Sequence, residues 1–285
     1  MSAAAPRELT PSLVLDLFPE ERAALLELLS SLSDEEWGRP TVCPGWSAKD
    51  VALHLLGDDI GRLSRGRDAF APAAFAPTGR GDFEAELLAF INRQNERWVE
   101  ATRRLSPRLL IDLLRWSGEE TRRYFESLDP YILGEPVSWA GPEPAPVWLD
   151  VAREYTERWL HQQQIRDAVG KPGLKERRLF APVLDTFARA LPQTYRDVAA
   201  PAGTHVRLTI TGDAGGAWSL VRDGAGWRLH THADGEPQAA VVLDQETAWR
   251  LFTKGISRDE ALATATISGE RALGLKVLET VSIIA

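Results

Sequence analysis

The chain has 285 residues, 44% of them hydrophobic and 26% charged, a balance that suits a globular protein of two ordinary domains or one large one. Its formal net charge of −8 opposes a phosphate backbone, and the arginine-rich stretches 62–67 and 103–108 are short and interrupted, so no nucleic-acid partner is expected. A single cysteine, Cys43, excludes an intramolecular disulfide and a cysteine-rich metal cage. The first ten residues lack the apolar core of a secretory signal, and no run of apolar residues is long enough to span a bilayer, so a cytoplasmic protein is expected.

The first 170 residues read as long helices. A helix over 19–32 opens on Pro19 with Glu20 and Glu21, then repeats leucine at Leu25, Leu28, Leu29 and Leu32. A loop with Pro40, Pro44 and Gly45 follows. Ser47 and Asp50 then stand in capping-box spacing, with Asp in place of the usual Glu or Gln, and start a second helix running to about residue 65. The stretch 70–81 is too rich in Ala, Pro and Gly for regular structure. Phe83, Leu87, Ile91, Trp98 and Leu105 keep one apolar stripe along a third helix, and Ser106-Pro107 caps another or breaks this one. Four prolines and two glycines in 130–146 read as a connecting loop, before a last helix over about 148–169 that stops at Gly170. Helices of this length predict a four-helix bundle.

After Pro172 the pattern changes. Segments 205–211, 218–222 and 227–232 alternate and carry β-branched or aromatic residues, separated by turn signals such as Gly215-Gly216 and Asp223-Gly224. A further strand at 239–243 and helices at 245–254 and 269–281 complete a small α+β domain with a mainly antiparallel sheet. A helix over 178–195 belongs to it or bridges the two halves.

Candidate chemistry concentrates on the second and last helices. His54 lies in an apolar run, Val51-Ala52-Leu53-His54-Leu55-Leu56, the usual setting of a core histidine. Glu157 and His161 project from one helical face, one turn apart. Asp150, Glu154, Glu157 and His161 form one polar line on that helix, while Trp148, Ala152, Tyr155 and Trp159 form a separate apolar stripe. On the earlier helix Asp50, His54 and Asp58 stack in the same way. Two such helices can converge inside a bundle, with His54, Glu157 and His161 as ligands and Asp50, Asp58 and Glu154 holding the imidazoles in place. Two histidines and one carboxylate suit a catalytic zinc with an open position, and also suit iron or nickel.

The run from Trp37 to Gly57, with Pro40-Thr41-Val42-Cys43-Pro44-Gly45-Trp46 leading through Asp50 to His54, resembles the N-terminal domain of the mycothiol-dependent maleylpyruvate isomerase family, one of the DinB-like bundles. The second match is Glu157 and His161, followed by Ile165, Asp167, Ala168, Gly170 and Pro172, which is similar to the family's closing helix. The resemblance implies a DinB-like metal-binding bundle over residues 10–172 and a sterol-carrier-like α+β domain over 173–285. It implies a divalent metal, commonly zinc, on His54, Glu157 and His161; the broader DinB group often has a third histidine in place of the glutamate. The Cys43-Pro44-Gly45-Trp46 turn reads as structural, with Trp46 packed against the helix entry, rather than as a nucleophile's setting. The resemblance also implies an arginine of the second domain near the metal, with Arg207, Arg222 and Arg228 as candidates. His230 and His232 share one strand face and read as solvated; His205 lies in the same domain.

The activity implied is that of an isomerase or S-transferase in which a low-molecular-weight thiol such as mycothiol attacks a small electrophilic substrate. Two other readings compete. A binding protein would saturate its metal with a fourth protein ligand, Glu154 or Asp58, and a metal-dependent hydrolase would use bound water and need no thiol. No membrane partner is expected in any of the three.

Overall fold

The computed structural model describes residues 7–70 and 83–283. Chain contacts divide these into two compact units, one comprising Val14–Asp129 with Tyr155–Leu174, the other the remaining described residues. The sequence places the boundary after residue 172; the segment 130–154 and the residues before Val14 fall in the second unit.

The first unit is built from helices. A short 3₁₀ turn, Leu15–Leu17, leads into α1 (Phe18–Ser30), which carries Pro19 and two glutamates in its first turn. The four-residue α2 (Asp34–Trp37) starts on a capping box between Ser33 and Glu36. Gly45, at φ 77°, turns the chain into α3 (Ala48–Arg62); a φ in this range costs glycine no steric strain. At the start of α3 the Asp50 backbone N–H donates to Ser47 Oγ, and the Ser47 backbone N–H donates to the Asp50 carboxylate, the capping box expected from the sequence. A π turn over Leu63–Arg67 ends it. The helices α4 (Phe83–Thr102) and α5 (Pro107–Glu126) follow, and Ser106 caps α5 by accepting from the Leu109 backbone N–H. Most of the expected 70–81 loop and the side chain of Phe83 lie outside the described residues. The last helix, α6 (Val147–Val169), ends at Gly170, whose φ of 68° closes it as the sequence requires.

Leu25, Leu29, Val51, Leu55, Val99, Leu110, Leu114 and Ile165 form a single buried cluster fed by α1, α3, α4, α5 and α6. At the α3–α4 contact Trp98 donates its indole N–H to the Leu53 carbonyl at 2.8 Å. A Cβ on Gly57 would come within 2.6 Å of that indole, so α3 needs glycine here for the ring to approach. Behind this contact lies a buried ion network. Asp59, 0% exposed, accepts from Arg158 Nη2 at 2.7 Å and Ser117 Oγ at 2.7 Å, and pairs with Arg22 Nη2 at 2.9 Å. It ties α1, α5 and α6 to α3.

The second unit holds the strands. Segment 130–146, expected as a loop, contains an antiparallel hairpin: after β1 (Arg7–Glu8), strands β2 (Leu133–Pro136) and β3 (Pro144–Pro146) pair with each other. Proline is tolerated there because a two-stranded ribbon consists of edges, where a missing N–H need not break a ladder. The expected 178–195 helix is two pieces, α7 (Arg177–Ala188) and α8 (Leu191–Thr194), broken before Pro192. Strands β4 (His205–Thr211), β5 (Gly216–Arg222), β6 (Trp227–His232) and β7 (Ala239–Asp244) follow, then α9 (Gln245–Phe252). The helix α10 (Arg258–Thr264) and strand β8 (Thr266–Gly269), which the sequence reading passed over, precede α11 (Arg271–Val277). The six-stranded sheet runs β1-β6-β5-β4-β7-β8. Its pairs are antiparallel except β4 with β7. Val206, Leu208, Ile210, Leu220, Val241 and Leu243 bury one face. A helical region followed by a small α+β domain is thus the architecture read from the sequence. Among the described residues no helix is long and apolar enough to cross a membrane.

Candidate metal centre

Both imidazoles singled out from the sequence meet inside the first unit. His54 sits at mid-α3 and His161 on α6, and their Nε2 atoms stand 3.1 Å apart with the rings at 88° to each other. Asp58, one turn after His54, brings Oδ2 to 3.3 Å from the His54 Nε2. Glu157, one turn before His161, brings Oε2 to 3.7 Å from the His161 Nε2. Each helix therefore supplies one histidine and one acid at i, i+4 spacing, in opposite chain order. One residue beyond each acid, Asp59 of α3 and Arg158 of α6 form the buried ion pair, which fixes the axial register of the two helices beside the site.

Among the described residues, His54, Asp58 and His161 form the group whose ligand atoms all lie within 4.8 Å of one another. Donor atoms held at about 2.0–2.1 Å around a tetrahedral cation stand about 3.3 Å apart. The His54–His161 and His54–Asp58 separations of 3.1 and 3.3 Å match that edge, and the His161–Glu157 separation of 3.7 Å lies just beyond it. Two neutral imidazoles and one or two carboxylates, gathered at this spacing, fit a divalent cation.

Burial holds both rings neutral. His54, 7% exposed, is pushed down to about 4, and Trp46 covers it with ring centroids 5.2 Å apart. His161 is lowered by burial first and then by the nearby His54 ring. A neutral imidazole retains a lone pair, the form a metal requires. On its far side the His161 Nδ1 lies 2.8 Å from Gln164 Oε1, and the Cys43 thiol donates to the same oxygen at 3.2 Å. Burial pushes the Cys43 thiol up, so it stays protonated.

The other expected acids are engaged elsewhere. Asp50 is taken up by the Ser47 cap and by Arg103, whose Nε donates to Oδ1 at 2.8 Å. Burial would raise the Asp50 carboxyl, but the Arg103 hydrogen bond and the cap outweigh it and hold it below the usual range. Glu154 pairs with its helix neighbour Arg153. Sequence spacing marked Asp50 and Asp58 alike, and the difference lies in Arg103, whose approach to α3 no local pattern foretells. Gln164 was not singled out; its position three residues after His161 is the signal that could have found it.

A family model for the mycothiol maleylpyruvate isomerase N-terminal domain matches residues 18–166, just over half the chain. The chain belongs to this family. Four chains of solved structures are similar to it. One is a crystal structure of a mutant of the mycothiol-dependent maleylpyruvate isomerase, with a TM-score of 0.50 and 13% identity over 85% of this chain and 88% of that one. Another is a crystal structure of the mycothiol-dependent maleylpyruvate isomerase, with a TM-score of 0.49 and 15% identity over the same shares. At such identity the likeness speaks for the fold alone. No curated protein matches.

In the second unit, the three arginines considered for the site have local partners. Arg207 donates to the Ala233 carbonyl, Arg222 to the Asp223 carbonyl, and Arg228 pairs with the Asp223 carboxylate. His232 is exposed and pairs with Asp234 at 3.3 Å, whereas His205 is buried.

Proposed function

We propose that this family member is a divalent-metal, low-molecular-weight-thiol-dependent isomerase or S-transferase acting on a small electrophilic substrate, with a mycothiol-type thiol as cosubstrate. The observation that carries the reading is the convergence of His54 Nε2 and His161 Nε2, 3.1 Å apart in the matched domain, with Asp58 Oδ2 beside the first and Glu157 Oε2 beside the second. His54, His161 and Glu157 would hold the cation, most simply zinc. A bound divalent cation favours a thiolate over a thiol, supplying the nucleophile at neutral pH.

The residues divide the remaining work. The two imidazoles, neutral and pointed at one spot, bind without losing protons. Glu157 contributes charge and stays on the His161 side. Asp58 has a side chain one-third exposed, beside His54, and its Oδ2 is the group placed to receive the thiol proton. Trp46 covers His54 and keeps water from its ring. The thiolate would add to a conjugated C=C bond, whose π electrons shift onto the adjoining carbonyl. Their return after rotation about the resulting single bond expels the thiolate and gives an isomer, whereas transfer of the proton from Asp58 to the adduct carbon gives an S-conjugate. The similar crystal structure is of a mycothiol-dependent maleylpyruvate isomerase, which makes maleylpyruvate the first electrophile to try.

The test uses protein loaded with cobalt(II) and titrated with mycothiol or N-acetylcysteine. A sulfur-to-metal charge-transfer band that saturates with thiol is expected. A cobalt spectrum indifferent to thiol would contradict the reading and favour water-based hydrolysis or a purely structural metal.

A further inference from the structure

We infer that Gln164 is a positioning residue that fixes the tautomer of His161, and that Cys43 orients Gln164 for the task. The inference rests on the metal reading above for its consequence, but its geometry stands alone. Gln164 lies on α6, three residues after His161, so its amide reaches back along the same helical face to the imidazole. Its Oε1 stands 2.8 Å from His161 Nδ1 and 3.2 Å from Cys43 Sγ.

An amide can present either oxygen or NH₂ to its neighbours, and the thiol decides which. Cys43 is half-buried, and burial raises its thiol, so sulfur carries its proton and needs an acceptor. The carboxamide must then offer oxygen to the space it shares with His161. Oxygen only accepts, so the hydrogen bond forms when His161 places its single proton on Nδ1. The Nε2 is left with a bare lone pair, aimed at the point His54 and Asp58 also face.

The same logic reaches His54. With Nε2 of His161 an acceptor at 3.1 Å, the metal-free pair is satisfied when His54 carries its proton on Nε2 and donates it across. A cation entering between the rings would require only His54 to move its proton from Nε2 to Nδ1, rather than both imidazoles to change tautomer. Cys43, in the turn before α3, thus acts on the site from its far side, through an amide and without touching the reacting groups. Outer partners of this kind are worth about 10–100-fold in metal affinity.

The experiment compares wild type, Gln164→Leu and Gln164→Glu as full-length chains. Long-range ¹H–¹⁵N spectra of the metal-free proteins report the protonated nitrogen of His161, and a competing chelator reports the zinc dissociation constant. In wild type and Gln164→Glu, where a carboxylate keeps the acceptor, Nδ1 of His161 is expected to be protonated and Nε2 bare. In Gln164→Leu the proton is expected to redistribute toward Nε2, with zinc bound about 10–100-fold more weakly and wild-type affinity regained in Gln164→Glu. An unchanged His161 tautomer in Gln164→Leu, with or without a change in affinity, overturns the inference. Wild-type protein that binds no zinc, yet whose His161 tautomer follows residue 164, overturns the metal reading and leaves this one standing.

Discussion

Replacing Asp59 with alanine removes a carboxylate shared by two buried guanidiniums. Arg158 is 2% exposed and Arg22 is 8% exposed, and both pair with Asp59, which also accepts from Ser117. Glu21 lies nearby and is fully buried; burial raises its carboxyl, against the lowering pull of Arg22 and Arg158. Stripping one partner from a buried ion network costs about 3–5 kcal/mol, because the remaining charges stay desolvated without compensation. At about 2–4 °C per kcal/mol for a protein of this size, the melting temperature should fall by roughly 6–20 °C. Thermal and urea unfolding followed by circular dichroism measure it. The companion variant Arg22→Met/Asp59→Leu/Arg158→Met removes the charges together and should recover most of the loss, since apolar replacement of a whole buried network is close to neutral. An Asp59→Ala cost below about 1 kcal/mol, or a triple variant worse than the single one, would refute the reasoning.

Three further outcomes are expected. Because His54 is held at about 4 when folded and has an ordinary value of 6.5, the unfolded chain binds its proton first on acidification; stability from this group is complete above pH 6.5 and is lost as pH falls toward 4. The loss reaches about 3 kcal/mol in chelator-treated protein, and a His54→Asn variant with the same acid slope would argue against it. Trp46→Ala opens the His54 ring to solvent and should move its midpoint up toward 6.5, read by the imidazole carbon-proton shifts; an unmoved midpoint assigns the burial to other neighbours. Gly57→Ala drives a methyl into the Trp98 indole and should cost about 1–3 kcal/mol, with indole fluorescence shifted; a neutral substitution would mean α3 and α4 have slack that the 2.6 Å approach denies.

Much of the molecule was legible in local chemistry. The Ser47–Asp50 cap, the Ser106 cap and the Gly170 stop are residue-level signals that act over a few bonds, and each marks a helix end where the structure has one. Of the apolar stripe Trp148, Ala152, Tyr155 and Trp159, the last three are fully buried and Trp148 is partly exposed. Strand β4 begins and ends at the residues its alternation marked. The hairpin in 130–146 escaped because its prolines speak against strands in general, and nothing local says that a strand will lie at an edge. At the site, i, i+4 spacing placed each acid beside its histidine, but separating Asp58 from Asp50 depended on Arg103, 53 residues away in the chain. Gln164 went unnoticed because a neutral amide has no signature until the tertiary fold brings a thiol and an imidazole to one oxygen.

The most direct test of the central claim is metal content by elemental analysis of the purified protein, beside His54→Ala and His161→Ala. The account predicts about one divalent cation per chain in wild type and none retained in either variant, with both variants still folded by circular dichroism. Wild-type protein that stays metal-free after incubation with zinc would contradict it and leave the two imidazoles as a packed, hydrogen-bonded pair.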